Sequence, residues 1–60
     1  MSAVYNPQAD VMAEIERLEV EARDFRKRIE HATADADKVV LRQQMAEIEQ
    51  SIQRLQARLD

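Results

Sequence analysis

The sequence contains no cysteine, no glycine and only one histidine. Without cysteine the chain has neither a disulfide nor a thiolate metal site, and one histidine does not make a zinc site by itself. Phosphate-binding loops, nucleotide-binding turns and nucleophile elbows all depend on glycine for their backbone geometry, so the lack of glycine argues against each of them. We therefore expect no catalytic residue, no cofactor and no metal.

Long apolar runs and excess positive charge are also missing. The longest apolar run is Val39-Val40-Leu41, whereas a helix needs about 20 apolar residues to cross a bilayer. Residues 1–7 carry no positive side chain and lead into no apolar segment, so we expect no secretory signal and a cytoplasmic protein, the alternative being a mature protein whose signal was removed. The net charge of -3 argues against broad attraction to nucleic acid or anionic lipid.

What the chain does have is typical of helices: 45% hydrophobic and 35% charged residues with only 3% aromatic. Asn6 is a good helix cap, Pro7 suits the first helical position, and Asp10 complements the positive end of the helix dipole. We predict a flexible arm over residues 1–6 and a first helix over about 7–32.

Two heptad seams, each with apolar residues spaced alternately by three and four positions, follow this start. The first seam consists of Val11, Ile15, Leu18, Ala22, Phe25 and Ile29, and it continues to Ala32. The second consists of Leu41, Met45, Ile48, Ile52, Leu55 and Leu59. Such spacing is typical of helices that pack against one another.

The two seams are out of phase by two residues, because Leu41 follows Ala32 by nine positions. Coiled coils absorb insertions of three or four residues more readily than a slip of two. We therefore predict a turn at about 33–36, with Thr33 or Asp35 as the cap of a second helix over about 36–59. Residues 7–60 then form one domain.

A fold-back at residue 35 pairs seam positions whose numbers sum to 70, and each of the six pairs joins an a to a d position of the heptad. This pattern predicts an all-α antiparallel helical hairpin. Two helices alone cover their seam on one flank only, so we expect a homodimer that completes a four-helix bundle.

Charges beside the seam give a second argument for a partner. Glu14 lies near Arg58 on one side of the hairpin, whereas on the other side Glu19 meets Glu49 and Arg26 meets Arg42. A partner that sets the acidic pair against the basic pair would relieve this repulsion. The alternative is that these side chains turn into water, since exposed pairs contribute little.

The expected function is a non-enzymatic protein–protein interaction or assembly module with an unidentified protein partner, because the carboxylates point outward and the seam is apolar. Nucleic acid is the less favoured partner, since acidic residues interrupt the basic cluster that runs from Arg23 to Arg28.

In length, hairpin form and the Asp35-Ala36-Asp37 segment near the turn, the chain resembles the Rop family of plasmid RNA-binding four-helix bundles. The resemblance is architectural and assigns no residue, but it implies an RNA-binding hairpin dimer as the alternative function. A third alternative is one continuous helix in an extended structural coiled coil.

Overall fold

The structure, a computed structural model, describes residues 7–59 as two helices. Helix α1 spans Pro7–His31 and helix α2 spans Asp35–Ala57. The two helices pack against each other along their length, with no strand among residues 7–59, and this confirms the all-α antiparallel hairpin. The continuous-helix alternative is therefore wrong. The predicted arm over residues 1–6 and the last residue, Asp60, lie outside the described residues.

Helix α1 begins at its proline and ends one residue before the predicted position. Pro7 is the first helical residue, and Asp10 provides the acidic side chain of the first turn. At the other end Arg28 and His31 lie in the last turn, where positive charge favours the helix terminus. The Ala32 N–H donates to the Ile29 carbonyl at 3.3 Å. This bond spans three residues, as in a 3₁₀-helix, so the α-helix ends here and the turn begins.

Helix α2 starts without the side-chain cap that the sequence suggested. The cap position is Ala34, with φ -90° and ψ 132°, and not Thr33 or Asp35. Its carbonyl accepts the Lys38 N–H at 3.2 Å, but its methyl group offers no hydrogen bond to the free N–H groups of the first turn. Asp35 and Asp37 instead act within that turn through their charge.

Helix α2 also ends in hydrogen bonds that span three residues. The Arg58 N–H donates to the Leu55 carbonyl at 3.1 Å, and the Leu59 N–H donates to the Gln56 carbonyl at 3.0 Å. Because these bonds span three residues, the α-helix ends at Ala57 while the chain still turns for two residues. Leu59 remains half-buried and continues the second seam.

The core is small and comes from one helix. All twelve predicted seam residues are buried or half-buried. Among residues 7–59 only Ile15, Leu18 and Ala22, all in α1, are buried, at 7%, 8% and 3% exposure. Helix α2 has no buried residue. Nine of the twelve seam side chains therefore keep part of their surface in solvent.

Neither helix is both long enough and apolar enough to cross a bilayer, within the part of the chain that the structure describes.

Candidate interaction surface

The seam has two flanks that differ in exposure. We call the closed flank the side formed by the half-buried residues Glu14, Glu21 and Ser51 together with Arg28. We call the open flank the side formed by the four charged residues for which the sequence predicts a partner-facing role. These are Glu19, Arg26, Arg42 and Glu49, and all four are exposed.

The closed flank satisfies its charges within α1. Arg17 donates to both carboxylate oxygens of Glu14 and, at 2.6 Å, to Glu21. The hydrogen bond from Arg17 holds the pKa of Glu14 below its ordinary value, and the same bond raises the pKa of Arg17. The sequence suggested that Glu14 pairs with Arg58, but in the structure Glu14 pairs with Arg17 of its own helix. Arg58 lies instead beside Pro7, at the end of the hairpin away from the turn.

Further contacts cover the rest of the closed flank. The Arg28 guanidinium lies 5.3 Å from the centre of the Phe25 ring, a cation–π distance, and so shields this half-buried aromatic. On α2 the Ser51 hydroxyl donates to the Glu47 carbonyl at 3.1 Å, and Arg54 donates to the Ser51 hydroxyl at 3.1 Å. Polar groups on this side thus find partners within their own helix.

The open flank carries a groove between the two helices, with a volume of about 330 Å³. In each helix the lining residues follow one another by three, one and three positions, which places them on one face. Ala22 lies at its floor, where the short side chain leaves room that a larger seam residue would fill. The lining residues are Glu19, Ala22, Arg23, Arg26, Glu49, Ile52, Gln53 and Gln56.

A second groove, of about 210 Å³, extends the first away from the turn. It shares Glu19 and Gln56 with the first groove and reaches Met12 and Leu59. The two together form one channel along the open flank, from the level of Arg26 to the far end of the hairpin.

The structure brings three of the four predicted partner-facing residues to this channel. Glu19, Arg26 and Glu49 line it, and Arg42 lies seven positions before Glu49 and so on the same face of α2. Among residues 7–59 none of the four makes an ion pair or a side-chain hydrogen bond. The open flank is therefore charged and unpaired, in contrast to the closed flank.

Sequence reasoning missed Arg23, Gln53 and Gln56 as groove residues. Arg23 and Gln53 lie one helical step outside the charged positions that flank the seam, and Gln56 lies one heptad after Glu49 on the same face. Ala22 is the feature of the sequence that could have predicted them. Because it is the shortest seam residue, it leaves a gap in the seam that the neighbouring side chains line.

Two large exposed apolar residues also belong to the open flank. Met12, 52% exposed, lines the second groove. Val39, 60% exposed, lies two heptads before the groove residue Gln53 and therefore on the same face of α2. Val20 and Val40 are exposed to a similar degree but lie on the outer faces of the hairpin.

Residues 7–59 contain neither a candidate metal cluster nor a buried polar side chain. No three histidine, aspartate or glutamate side chains in this range are grouped so as to hold a metal ion. The same range holds no buried polar or charged residue.

Comparison of the chain with protein-family models, curated proteins and solved structures found no match. What defines the class of this protein is therefore its own geometry: a short all-α helical hairpin with a half-covered seam, one closed flank and one open flank.

Proposed function

We propose that the chain is a non-enzymatic interaction module that assembles first with a second copy of itself, through the seam that a single hairpin leaves half-covered. The observation that carries this proposal is the exposure of the second seam, whose six residues, five of them in α2, are all half-buried and none buried. A chain of 60 residues already has a marginal ratio of core to surface. Leaving one of its two helices without a buried side chain makes folding alone harder still.

Covering the half-buried seam is the main source of free energy for association. Fully burying a large apolar side chain contributes about 1.5 to 3 kcal/mol, so covering the remaining half of one contributes about 1 kcal/mol. Nine half-buried seam residues in each chain then offer a total on the order of 15 to 20 kcal/mol. Association costs about 4 to 15 kcal/mol in lost freedom, and ordering of the interface side chains adds to that cost. Most of the half-buried seam surface must therefore be covered for the dimer to be stable. A four-helix bundle of two hairpins is the usual form in which such seams close.

Sedimentation equilibrium combined with circular dichroism over a dilution series tests this proposal. We expect a species of twice the 7.0 kDa chain mass that loses helicity as it dissociates, because assembly completes the core. A fully helical monomer that persists across the micromolar range contradicts the proposal.

A matched pair of variants sharpens this experiment. Ile52→Glu places a charge on the half-buried seam and should abolish the dimer. Gln50→Glu places the same charge on an exposed outer position of the same helix and should leave the dimer intact. Equal behaviour of the two variants would show that the seam does not bind the second copy.

In such a dimer the outer faces stay accessible, and Val20 and Val40 are their exposed apolar residues for a further protein partner. The RNA-binding alternative has weaker support, because Arg23 and Arg26 share their groove with Glu19 and Glu49. A shift of structured RNA at low salt that disappears as salt is raised would favour it.

A further inference from the structure

We propose that the two copies pack open flank on open flank and antiparallel, with their turns at opposite ends and a two-fold axis crossing near Ala22. This inference rests on the self-association proposed above and specifies its surface and direction.

The charges of the open flank are separated by sign along the hairpin axis. At 1.5 Å per helical residue, Arg26 and Arg42 lie about 8 and 10 Å from the helix ends at the turn. By the same measure, Glu19 and Glu49 lie about 18 and 21 Å from those ends. Among the four charged residues that define the open flank, the two nearer the turn are therefore basic and the two farther from it are acidic.

This separation decides the direction of packing. An antiparallel two-fold dimer stacks α1 on α1 and α2 on α2, so Glu19 of each copy lies over Arg26 of the other, and Glu49 over Arg42. A parallel two-fold dimer stacks α1 on α2 of the second copy, so Glu19 lies over Glu49 and Arg26 lies over Arg42. Only the antiparallel arrangement converts the unpaired like charges of one hairpin into opposite-charge contacts.

The position of the axis agrees with the apolar surface. The midpoint between the acidic and basic pairs lies about 14 Å from the turn, which is within one helical turn of the middle of both helices. Ala22 lies at this level, also about 14 Å from the end of α1. The shortest side chain of the seam therefore lies where the two α1 helices cross, and this allows their close approach.

The same axis covers the two exposed apolar residues of the open flank. It brings Met12 within one helical turn of Ile29 in the second copy, and Val39 within one helical turn of Ile52, by the 1.5 Å rise. Ile29 and Ile52 are half-buried seam residues in the single hairpin. Packing on the open flank thus adds apolar contacts at both ends of the charged stretch and fills the groove in its middle.

Charge-reversed variants of the whole chain test this arrangement by sedimentation equilibrium. Glu19→Arg with Glu49→Arg makes the open flank wholly basic, and Arg26→Glu with Arg42→Glu makes it wholly acidic. We expect each double variant to raise the dimer dissociation constant by about tenfold or more, because four favourable contacts become four repulsive ones. The quadruple variant reverses every charge and should return the constant to near the wild-type value.

The matched control is Asp24→Arg with Glu47→Arg, which makes the same change in net charge at exposed positions away from the open flank. It should dimerise like the wild type, and circular dichroism at high concentration verifies that all variants are helical. In a parallel dimer each double variant still sets like charge against like, so its constant would match that of the control. That result, or a quadruple variant no tighter than the doubles, overturns the inference. A monomeric wild type would overturn the proposed self-association instead.

Discussion

The uncapped start of α2 predicts that a single surface substitution stabilises the protein. Ala34 has the extended backbone of a cap residue, yet its methyl group leaves the N–H groups of Ala36 and Asp37 without a side-chain acceptor. A hydroxyl or amide oxygen at position 34 meets this need with no change in backbone angles. Because Ala34 is exposed, the new side chain displaces no packing.

The expected gain is about 1 kcal/mol per chain, within the range of 0.5 to 2 kcal/mol that caps contribute. In a dimer that dissociates as it unfolds, both chains gain, so the total is about 2 kcal/mol per dimer. For a domain of this size each kcal/mol corresponds to roughly 4 to 8 °C in Tm. Ala34→Ser and Ala34→Asn should show the full gain. Ala34→Asp should gain less, since its charge adds to those of Asp35 and Asp37.

Thermal and urea unfolding at fixed chain concentration, followed by circular dichroism, measures the effect. The control is Ala13→Ser, the same substitution at an exposed outer position in the interior of α1, which should lose a few tenths of a kcal/mol in helix propensity. If Ala34→Ser behaves like Ala13→Ser, the chain does not enter α2 at residue 34, and the account of the turn is wrong.

Two further predictions concern the core and the closed flank. Leu18→Ala removes a side chain that is 8% exposed and should destabilise the fold by about 2 to 5 kcal/mol, whereas Val40→Ala, at a site 53% exposed, should stay within about 0.5 kcal/mol of the wild type in urea unfolding. Arg17→Gln should raise the pKa of Glu14 toward its ordinary value, observed by NMR titration of the side-chain carboxyl. Since Arg17 lowers the folded-state pKa, its contribution to stability exists above the unfolded pKa of Glu14 and is lost as pH falls through the folded one. An unchanged Glu14 titration would mean that the Arg17 contact does not form in solution.

The hairpin was predictable from the sequence because its evidence is periodic. Twelve apolar residues in two seams, with a two-residue slip between them, define two helices and a break even though the turn contains no glycine or proline. The ends of the helices were less predictable. The backbone enters α2 at Ala34, although Thr33 and Asp35 on either side of it are better caps by residue type. A local choice of this kind depends on how the helices approach each other, which the heptad pattern does not specify.

Long charged side chains were the least predictable part of the surface. Heptad positions placed Glu14 near Arg58, but Arg17 on the same helix reaches Glu14 and Glu21 from three and four residues away. Contacts at these spacings need no tertiary alignment, so they form more readily than contacts between helices. On the open flank this spacing is not sufficient: Glu19 has Arg23 four residues on, yet the two make no ion pair in the described structure.

The difference between the two flanks gives the clearest reason to seek the second copy on one side. On the closed flank, Arg17 makes ion pairs with two carboxylates and Arg28 covers Phe25, so a partner docking there would have to displace contacts that already exist. On the open flank the polar groups have made no such contacts, and the groove beside Ala22 exposes apolar surface between them. A partner on the open flank would therefore gain ion pairs and apolar burial without breaking existing contacts. A partner on the closed flank would only replace existing contacts with new ones. Charge reversal confined to the open flank should affect assembly more strongly than the same reversal elsewhere, for this physical reason.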